Sequence, residues 1–249
     1  MSQGLRHSQN QLSVAQLLMI RPVPANKKSV PTLLEEMALF EQGYCFVAGF
    51  DEAGRGCLAG PVVAAAVILP LSAPDAEKDA DNQDIMTRLV GVNDSKQLTG
   101  AMRERLYDVI MQHALSVGVG IGSVEVIDER NILQATKYAM RLALKQLSPA
   151  PQALLLDALL LPGISLPQRS IIKGDAHCLS IAAASIIAKV TRDRLMVQLH
   201  AVHPEYGFDQ HKGYGTPAHM AALHQYGATP HHRRSFAPVR ELFGLFAER

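Results

Sequence analysis

The sequence predicts an α/β fold, a mixed sheet flanked by helices and followed by a helical C-terminal segment. Two observations carry this prediction. Apolar, β-branched runs of strand length alternate with segments of helical periodicity. The early strands follow each other as a meander, whereas the later ones alternate with helices, which is typical of mixed sheets with active groups at strand ends. A hydrophobic content of 48% over 249 residues is enough for a large buried core.

The elements can be placed in chain order. Strands are expected at 45–50, 62–69, 115–122, 153–157 and about 169–172. Within 115–122 large apolar residues alternate strictly with Ser or Gly, so that one face carries Leu115, Val117, Val119 and Ile121. Helices are expected at about 31–42, on the apolar stripe Met102, Leu106, Val109 and Ile110, at about 131–146, from 179 to about 200, and between Thr216-Pro217 and Gly227. The polar stretch before the stripe at 102–110 is expected to be a loop.

Composition excludes several classes of protein. No apolar run reaches the roughly 18 to 20 residues of a membrane span, so no membrane partner is expected. The cysteines Cys45, Cys57 and Cys178 are odd in number and far apart. This spacing argues against a disulfide framework and against structural zinc, and it favours a reducing, cytoplasmic location.

The first thirty residues differ from the rest of the chain. They hold four Lys/Arg and no acid, and residues 1–30 are expected to be a flexible tail. An organelle transit peptide is an alternative for such a stretch. The segment Gln11–Ala15, "QLSVA", loosely resembles the pentapeptide by which bacterial replication proteins dock on the sliding clamp, although it lacks the terminal aromatic residue. A sliding clamp is therefore a candidate partner.

Charge is nearly balanced over the whole chain but not along it. The net charge is +1, whereas residues 189–240 contain seven Lys/Arg against three acids and seven of the ten histidines. Such a stretch is either a solvated helical face or a surface that meets phosphates.

Four carboxylates follow predicted strands. Asp51 and Glu52 end the first strand, Asp157 ends 153–157, and Asp175 comes just before the long helix. A single such Asp is usually a turn or helix-cap residue, but four at one sheet edge repel one another unless a cation neutralises them. Oxygen ligands without nearby Cys or His select Mg²⁺ or Mn²⁺, and two such ions can activate water and stabilise a leaving oxygen. The pattern predicts a two-metal phosphodiesterase site.

The carboxylates are followed by Gly54, Arg55 and Gly56, which allow close backbone approach and add a cation suited to phosphate. At this point the chain resembles the type 2 ribonuclease H family, ribonuclease HII, from about Val47 to Val239. The resemblance rests on six blocks in the family's order: "GFDEAGRGCLAGPVVAAAVIL", "VNDSKQLT", "ERNILQATKYAM", "KGDAHCLSIAAASIIAKVTRD", "HKGYGTPAH" and "HRRSFAPV".

The resemblance implies a ribonuclease-H-like fold, with a catalytic domain at 31–200 and a C-terminal helical segment at 201–249 packed on it. It implies hydrolysis of the RNA strand of RNA/DNA hybrids and cleavage 5′ of ribonucleotides embedded in duplex DNA, leaving 3′-OH and 5′-phosphate ends, by a monomer. The implied metal ligands and catalytic residues are Asp51, Glu52, Asp157 and Asp175. The implied substrate-binding residues are Gly54, Arg55, Gly56, Ser95, Lys96 and Tyr214, of which the glycine motif reads the 2′-OH and the tyrosine packs on a sugar.

Two positions depart from the family pattern. Ala158 stands where the family usually has a glycine after the third acid, and Cys57 replaces the usual proline after Gly-Arg-Gly. The first departure leaves open a hybrid-binding module without catalysis. A sugar or acetate kinase of the actin-like group is a second alternative, because its sheets also carry strand-end acids and glycines, although no phosphate-loop signature is present.

Overall fold

A five-stranded mixed sheet forms the centre of the protein. The computed structural model describes residues 30–72 and 79–247, without the side chains at 79–81 and 243–247. The strand order is β3-β2-β1-β4-β5, with β2 antiparallel to both neighbours and β4 parallel to both. The strands are β1 (Val47–Ala53), β2 (Val62–Ile68), β3 (Ser116–Gly122), β4 (Ala153–Asp157) and β5 (Gln168–Ile171). The predicted mixed sheet is confirmed, and β1 continues one residue beyond Glu52.

Helices cover both faces of this sheet. They are α1 (Leu34–Phe40), α2 (Asp79–Arg88), α3 (Gly100–His113), α4 (Val124–Arg130), α5 (Ile132–Gln146), α6 (Gly174–His177), α7 (Leu179–Val202), α8 (Phe208–His211), α9 (Pro217–Tyr226) and α10 (Ala237–Ala247). Thr99, Ser123, Asn131 and Thr216 cap the N-termini of α3, α4, α5 and α9 with their side chains. None of the described helices is both long and apolar enough to cross a membrane.

Strand β2 separates two apolar cores. Its seven residues are all buried, and they alternate between the sheet faces. Ala65 and Val67 pack with α3 and α7, whereas Ala64, Ala66 and Ile68 pack with α5. Small side chains at the centre of the sheet therefore let both helical layers lie close to the backbone.

The outer strand β3 is buried on its glycine face. A Cβ at Gly118 or Gly120 would lie 2.1 or 1.9 Å from a carbonyl oxygen of α5, so only glycine allows this contact. The opposite face carries Val117 and Val119, as the alternation predicts, while Ile121 on that face is 41% exposed. Alternation correctly identifies the face but does not show that the closer packing is made through glycines.

Helix α1 is joined to the start of α7. The buried carboxylate oxygen Oε1 of Glu36 accepts hydrogen bonds from the Ser180 amide (2.7 Å) and the Cys178 thiol (3.1 Å). Glu36 thus satisfies an amide in the first turn of α7, which has no local side-chain cap. Below this point Gly49 of β1 is so close to α7 that an added Cβ would lie 2.3 Å from Ser180 Oγ. These contacts fix the segment that carries Asp175.

Two segments differ from the loop expected before α3. Residues 79–88 form α2, and its Ile85 enters the core beside α3 together with Leu89, which follows the helix. A short 3-10 turn then spans Ser95–Gln97, and the Asp94 carboxylate accepts a hydrogen bond from the Lys96 amide. The loop prediction was wrong for α2, because a few buried apolar contacts stabilise a helix whose composition is otherwise polar.

Candidate active site

Three carboxylates meet at the edge of the sheet. Asp51 lies in β1, Asp157 ends the neighbouring parallel strand β4, and Asp175 lies in the short helix α6. Ligand oxygens of these three side chains all lie within 4.8 Å of one another. Asp51 and Asp175 are buried, and Asp157 is partly exposed. The Oδ1 atom of Asp157 also accepts a hydrogen bond from the Gly174 amide (2.9 Å), which ties the two later acids together.

Glu52 lies beside this cluster but outside the three-residue group. Its Oε1 atom pairs with the guanidinium of Arg55 at 3.0 Å. Its Oε2 atom is buried without a hydrogen-bond partner in the described part of the chain. A buried carboxylate oxygen without a partner is costly, and a cation would remove that cost.

The electrostatics of the cluster favour a positive ion. Burial, followed by the charge of Glu52, raises the pKa of Asp51 well above its usual value. Burial also raises the pKa of Asp175, and the nearby charges of Asp94 and Asp157 raise it further. For Glu52 burial likewise raises the pKa, although the hydrogen bond from Arg55 opposes it. The acids thus hold their charges at a cost that a divalent cation would offset.

Lys96 approaches the cluster from the 3-10 turn. Its ammonium nitrogen lies 3.6 Å from Asp175 Oδ2 and 3.9 Å from Asp94 Oδ1, on a side chain that is 74% exposed. Burial alone would lower the pKa of Lys96, but the carboxylates of Asp175, Asp51 and Asp94 raise it overall, so the side chain stays protonated. An exposed cation here can face both the acids and an incoming phosphate.

Ser95, the neighbour of Lys96, points inward. Its hydroxyl lies 2.9 Å from the hydroxyl of Ser185 in α7, and the residue is 3% exposed. The guanidinium of Arg103 donates to the carbonyl of Ser95 (2.9 Å), and it also contacts Asp193 of α7. The Ser95 side chain therefore holds the turn against α7 rather than facing solvent.

The residues Gly54, Arg55 and Gly56, called here the glycine loop, follow β1 directly. Gly54 has φ +94°, a conformation that other residues adopt only with strain. Arg55 and Gly56 are exposed. Tyr214 is 42% exposed, and the ammonium of Lys189 lies 5.9 Å from its ring centre. The Leu58 amide donates to the Gly213 carbonyl (2.8 Å), so the tyrosine segment is joined to the residues that follow the glycine loop.

The two departures have different structural contexts. Ala158 has φ +50°, and its amide donates to the carbonyl of Ile171. This is the left-handed conformation that glycine adopts freely, so the alanine is accommodated with strain and Asp157 keeps its place at the end of β4. Cys57 is fully buried, and its amide makes a long contact of 3.5 Å with the Gly54 carbonyl.

A buried histidine pair supports the tyrosine segment. His219 and His232 are both fully buried, with 3.0 Å between their Nε2 atoms. The Tyr214 carbonyl can only accept, so His219 donates to it from Nδ1 and accepts at Nε2 from His232. His232 in turn accepts at Nδ1 from the Thr229 amide. Every contact requires both rings to be neutral, and burial lowers the pKa of His219 to about 4 and that of His232 to about 3.

The sequence reasoning did not assign a role to the buried residues that support the site. Arg192, Arg233, His219 and His232 all lie within sequence blocks noted above. The hydrogen-bond partners of the two arginines are 20 or more positions away along the chain, and the two histidines are 13 positions apart. The excess of histidines at 189–240 was the only signal, and it did not show which of them are buried.

Comparison with known proteins agrees with these features. A family model described as ribonuclease HII matches residues 48–239. A ribonuclease HII from Chloroflexus aurantiacus is 56% identical over 212 residues, covering 85% of this chain and 96% of the relative. The ribonuclease H2 structure from Pyrococcus horikoshii OT3 has TM-score 0.64 and 32% identity, covering 82% of this chain and all of the other.

A second solved structure is a complex. It is the PCNA:RNase HII complex from Archaeoglobus fulgidus, with TM-score 0.60 and 28% identity, and the similarity covers 79% of this chain and 96% of the other. The solved structures support the ribonuclease-H-like sheet with its flanking helices.

Proposed function

The chain belongs to the ribonuclease HII family, and from this premise we propose that it cuts duplex DNA on the 5′ side of an embedded ribonucleotide, leaving 3′-OH and 5′-phosphate ends. It is a metal-dependent endonuclease that hydrolyses RNA in RNA/DNA hybrids, as its family membership establishes. The observation that supports the finer proposal is the meeting of a carboxylate cluster with an exposed glycine loop at the end of β1. One feature suits phosphodiester hydrolysis, and the other suits recognition of a sugar hydroxyl.

The proposed metal ligands are Asp51, Glu52, Asp157 and Asp175. The raised pKa values and the unpartnered oxygen of Glu52 fit a site for Mg²⁺ or Mn²⁺, and we propose two ions. When bound, such ions supply an activated water at neutral pH and offset charge on the leaving oxygen. The chain itself holds the carboxylates on two adjacent strands and one helix start, so little reorganisation is needed.

The proposed substrate contacts surround this cluster. Gly54, Arg55 and Gly56 would face the ribose through backbone amides, and Lys96 would face a phosphate beside the acids. Ser95 belongs to the same proposed set through its turn, because its hydroxyl is already engaged by Ser185. Tyr214 would pack its exposed ring on a neighbouring sugar, where the apolar face of a deoxyribose fits an aromatic surface.

We also propose a partner, an oligomeric state, a cellular location and domain bounds for this protein. Residues 1–29, including the "QLSVA" segment, lie outside the described residues. We keep the sliding clamp as a candidate partner, and a pull-down with and without residues 1–30 tests it. We also propose a monomer in the cytoplasm, with 31–200 as catalytic domain and 201–249 packed on it. Three free cysteines, two of them buried, are consistent with a reducing compartment.

The deciding experiment compares two duplexes. One carries a single ribonucleotide and the other is all DNA, each incubated with Mg²⁺, then with EDTA. We expect cutting only 5′ of the ribonucleotide and only with metal, with 3′-OH and 5′-phosphate products. Cutting of a long hybrid without cutting of the single-ribonucleotide duplex would refute the finer proposal. Tight binding without any cutting, in Mg²⁺ or Mn²⁺, would favour the hybrid-binding module instead.

A further inference from the structure

Two arginine side chains lie fully buried beneath the glycine loop. Arg192 comes from α7, and Arg233 lies between α9 and α10. Among the described residues, no carboxylate is within ion-pair distance of either guanidinium. Buried charges are normally paired with an opposite charge. These two guanidinium groups instead donate hydrogen bonds to main-chain carbonyls, and that of Arg233 also lies over the Phe236 ring, 5.1 Å from the ring centre. Such an arrangement points to a specific role.

Arg233 contacts the glycine loop itself. Its NH1 and NH2 atoms donate to the carbonyls of Arg55 (2.9 Å) and Gly54 (2.7 Å). Its Nε and NH2 atoms both donate to the carbonyl of Gly60, at 3.0 and 2.9 Å. NH2 also donates to the carbonyl of Pro61 (3.3 Å). One planar group therefore fixes four carbonyls, two of which belong to the glycine loop.

The direction of these carbonyls sets the direction of the loop amides. In a trans peptide the C=O of one residue and the N–H of the next point to opposite sides. Because the carbonyls of Gly54 and Arg55 point inward to Arg233, the amides of Arg55 and Gly56 point outward. Within the described part of the chain neither amide donates a hydrogen bond, and both residues are exposed. The loop thus presents two free donors, with a buried positive charge behind them.

Arg192 fixes the other end of this arrangement. Its guanidinium donates to the carbonyls of Pro61 (2.9 Å), Ala59 (3.0 Å) and Lys212 (2.8 Å). It passes directly under Gly54, where an added Cβ would lie 2.0 Å from Nε. Arg192 therefore joins the segment after the glycine loop to the segment that precedes Tyr214.

We propose that Arg192 and Arg233 are positioning residues for ribonucleotide recognition, which hold the amides of Arg55 and Gly56 toward the 2′-hydroxyl of the substrate. This inference rests on the proposed function. The two arginines contact none of the metal-site acids, so they act through the backbone of the loop. Lysine keeps the charge, but its three donors cannot reproduce the planar contacts that fix several carbonyls at once.

The test is the Arg233→Lys variant of the full chain, with Arg141→Lys as matched control. Arg141 also donates to a main-chain carbonyl, that of Pro162, but it lies on α5 across the sheet. Affinities for the single-ribonucleotide duplex and the all-DNA duplex are measured in EDTA, which prevents cutting. We expect Arg233→Lys to reduce the preference for the ribonucleotide by about tenfold or more, as for loss of one hydrogen bond. Affinity for all-DNA duplex and binding of Mn²⁺ alone should be unchanged, as should every value for Arg141→Lys.

A second measurement uses the unaltered protein and does not depend on folding of the variant. In ¹⁵N-labelled chain, the amide signals of Arg55 and Gly56 should shift with the ribonucleotide duplex and stay in place with the all-DNA duplex. The inference is overturned if Arg233→Lys keeps the preference, or if these amide signals do not respond. Absence of any ribonucleotide preference in the unaltered chain would instead refute the proposed function, and the inference with it.

Discussion

Acidification should destabilise this protein through the buried histidine pair. His219 and His232 are neutral in the folded state, with pKa values of about 4 and about 3, because burial disfavours their charged forms. In the unfolded chain each has the ordinary pKa of about 6.5. The unfolded state therefore binds more protons below pH 6.5, and the free energy of unfolding falls as the pH drops from about 6.5 toward the folded pKa values.

The size of the effect follows from these pKa values. Between pH 7 and pH 5 each histidine takes up about one proton on unfolding but almost none while folded, which costs about 2 kcal/mol of stability per ring. A protein is typically stable by about 5 to 15 kcal/mol, so the pair alone would remove a measurable fraction. The hydrogen bonds also require neutral rings, since a protonated His219 would turn a donor toward the donor of His232.

The assay is urea unfolding at pH 7 and pH 5 of the unaltered chain and of His232→Gln. Other groups titrate in this range, including buried acids with raised pKa values, so only the difference between the two proteins is diagnostic. We expect the unaltered chain to lose about 2 kcal/mol more than the variant. His224→Gln replaces an exposed histidine on α9 and should leave the pH dependence as it is. Equal losses in the unaltered chain and His232→Gln would refute the reasoning.

Three further predictions concern the site. Asp51→Asn removes a proposed metal ligand but no substrate donor, so cleavage should fall about a hundredfold or more while hybrid binding remains; substantial cleavage in Mg²⁺ would contradict this. Gly54→Ala should lower the free energy of unfolding by about 1 to 3 kcal/mol, because residue 54 has φ +94° and the added Cβ would collide with Arg192. Gly56→Ala serves as control, because a Cβ added there meets no atom within 4 Å. Ala158→Gly should relieve the strain at φ +50° and raise the free energy of unfolding by about 0.5 to 1 kcal/mol, which would raise the thermal midpoint. An unchanged midpoint would show that no strain is stored there.

The sequence predicted the sheet and its acids for identifiable reasons. Strands such as β2 and β4 are short, continuous apolar runs between turn residues, and their bounds are visible without tertiary information. Asp157 and Asp175 could be expected near Asp51 because strand-end groups of adjacent strands gather at one edge. The roles of the proposed metal and substrate residues stay predictions.

The contacts that support the candidate site could not be predicted from the sequence. The partners of Arg233 lie up to 179 positions away along the chain, and a buried arginine has the same sequence pattern as a solvated one. Ser95 belongs to the predicted substrate-binding set, and nothing in the sequence indicated that its hydroxyl lies against that of Ser185, a pairing that depends on how the turn meets α7. Helix α2 was missed because the burial of Ile85, and of Leu89 directly after the helix, outweighs its polar composition.

The pairing of β1 with β4 has a consequence for the order in which activity appears during synthesis. The two strands are parallel neighbours, but residues 54–152 separate them along the chain, so a nascent chain carries Asp51 long before it can form the cluster. The contacts of Arg233 with the glycine loop require residues that emerge later still. A ribosome-bound chain would therefore gather its acids before its glycine loop is held in place, and the loop would reach its final arrangement only after Arg233 has emerged.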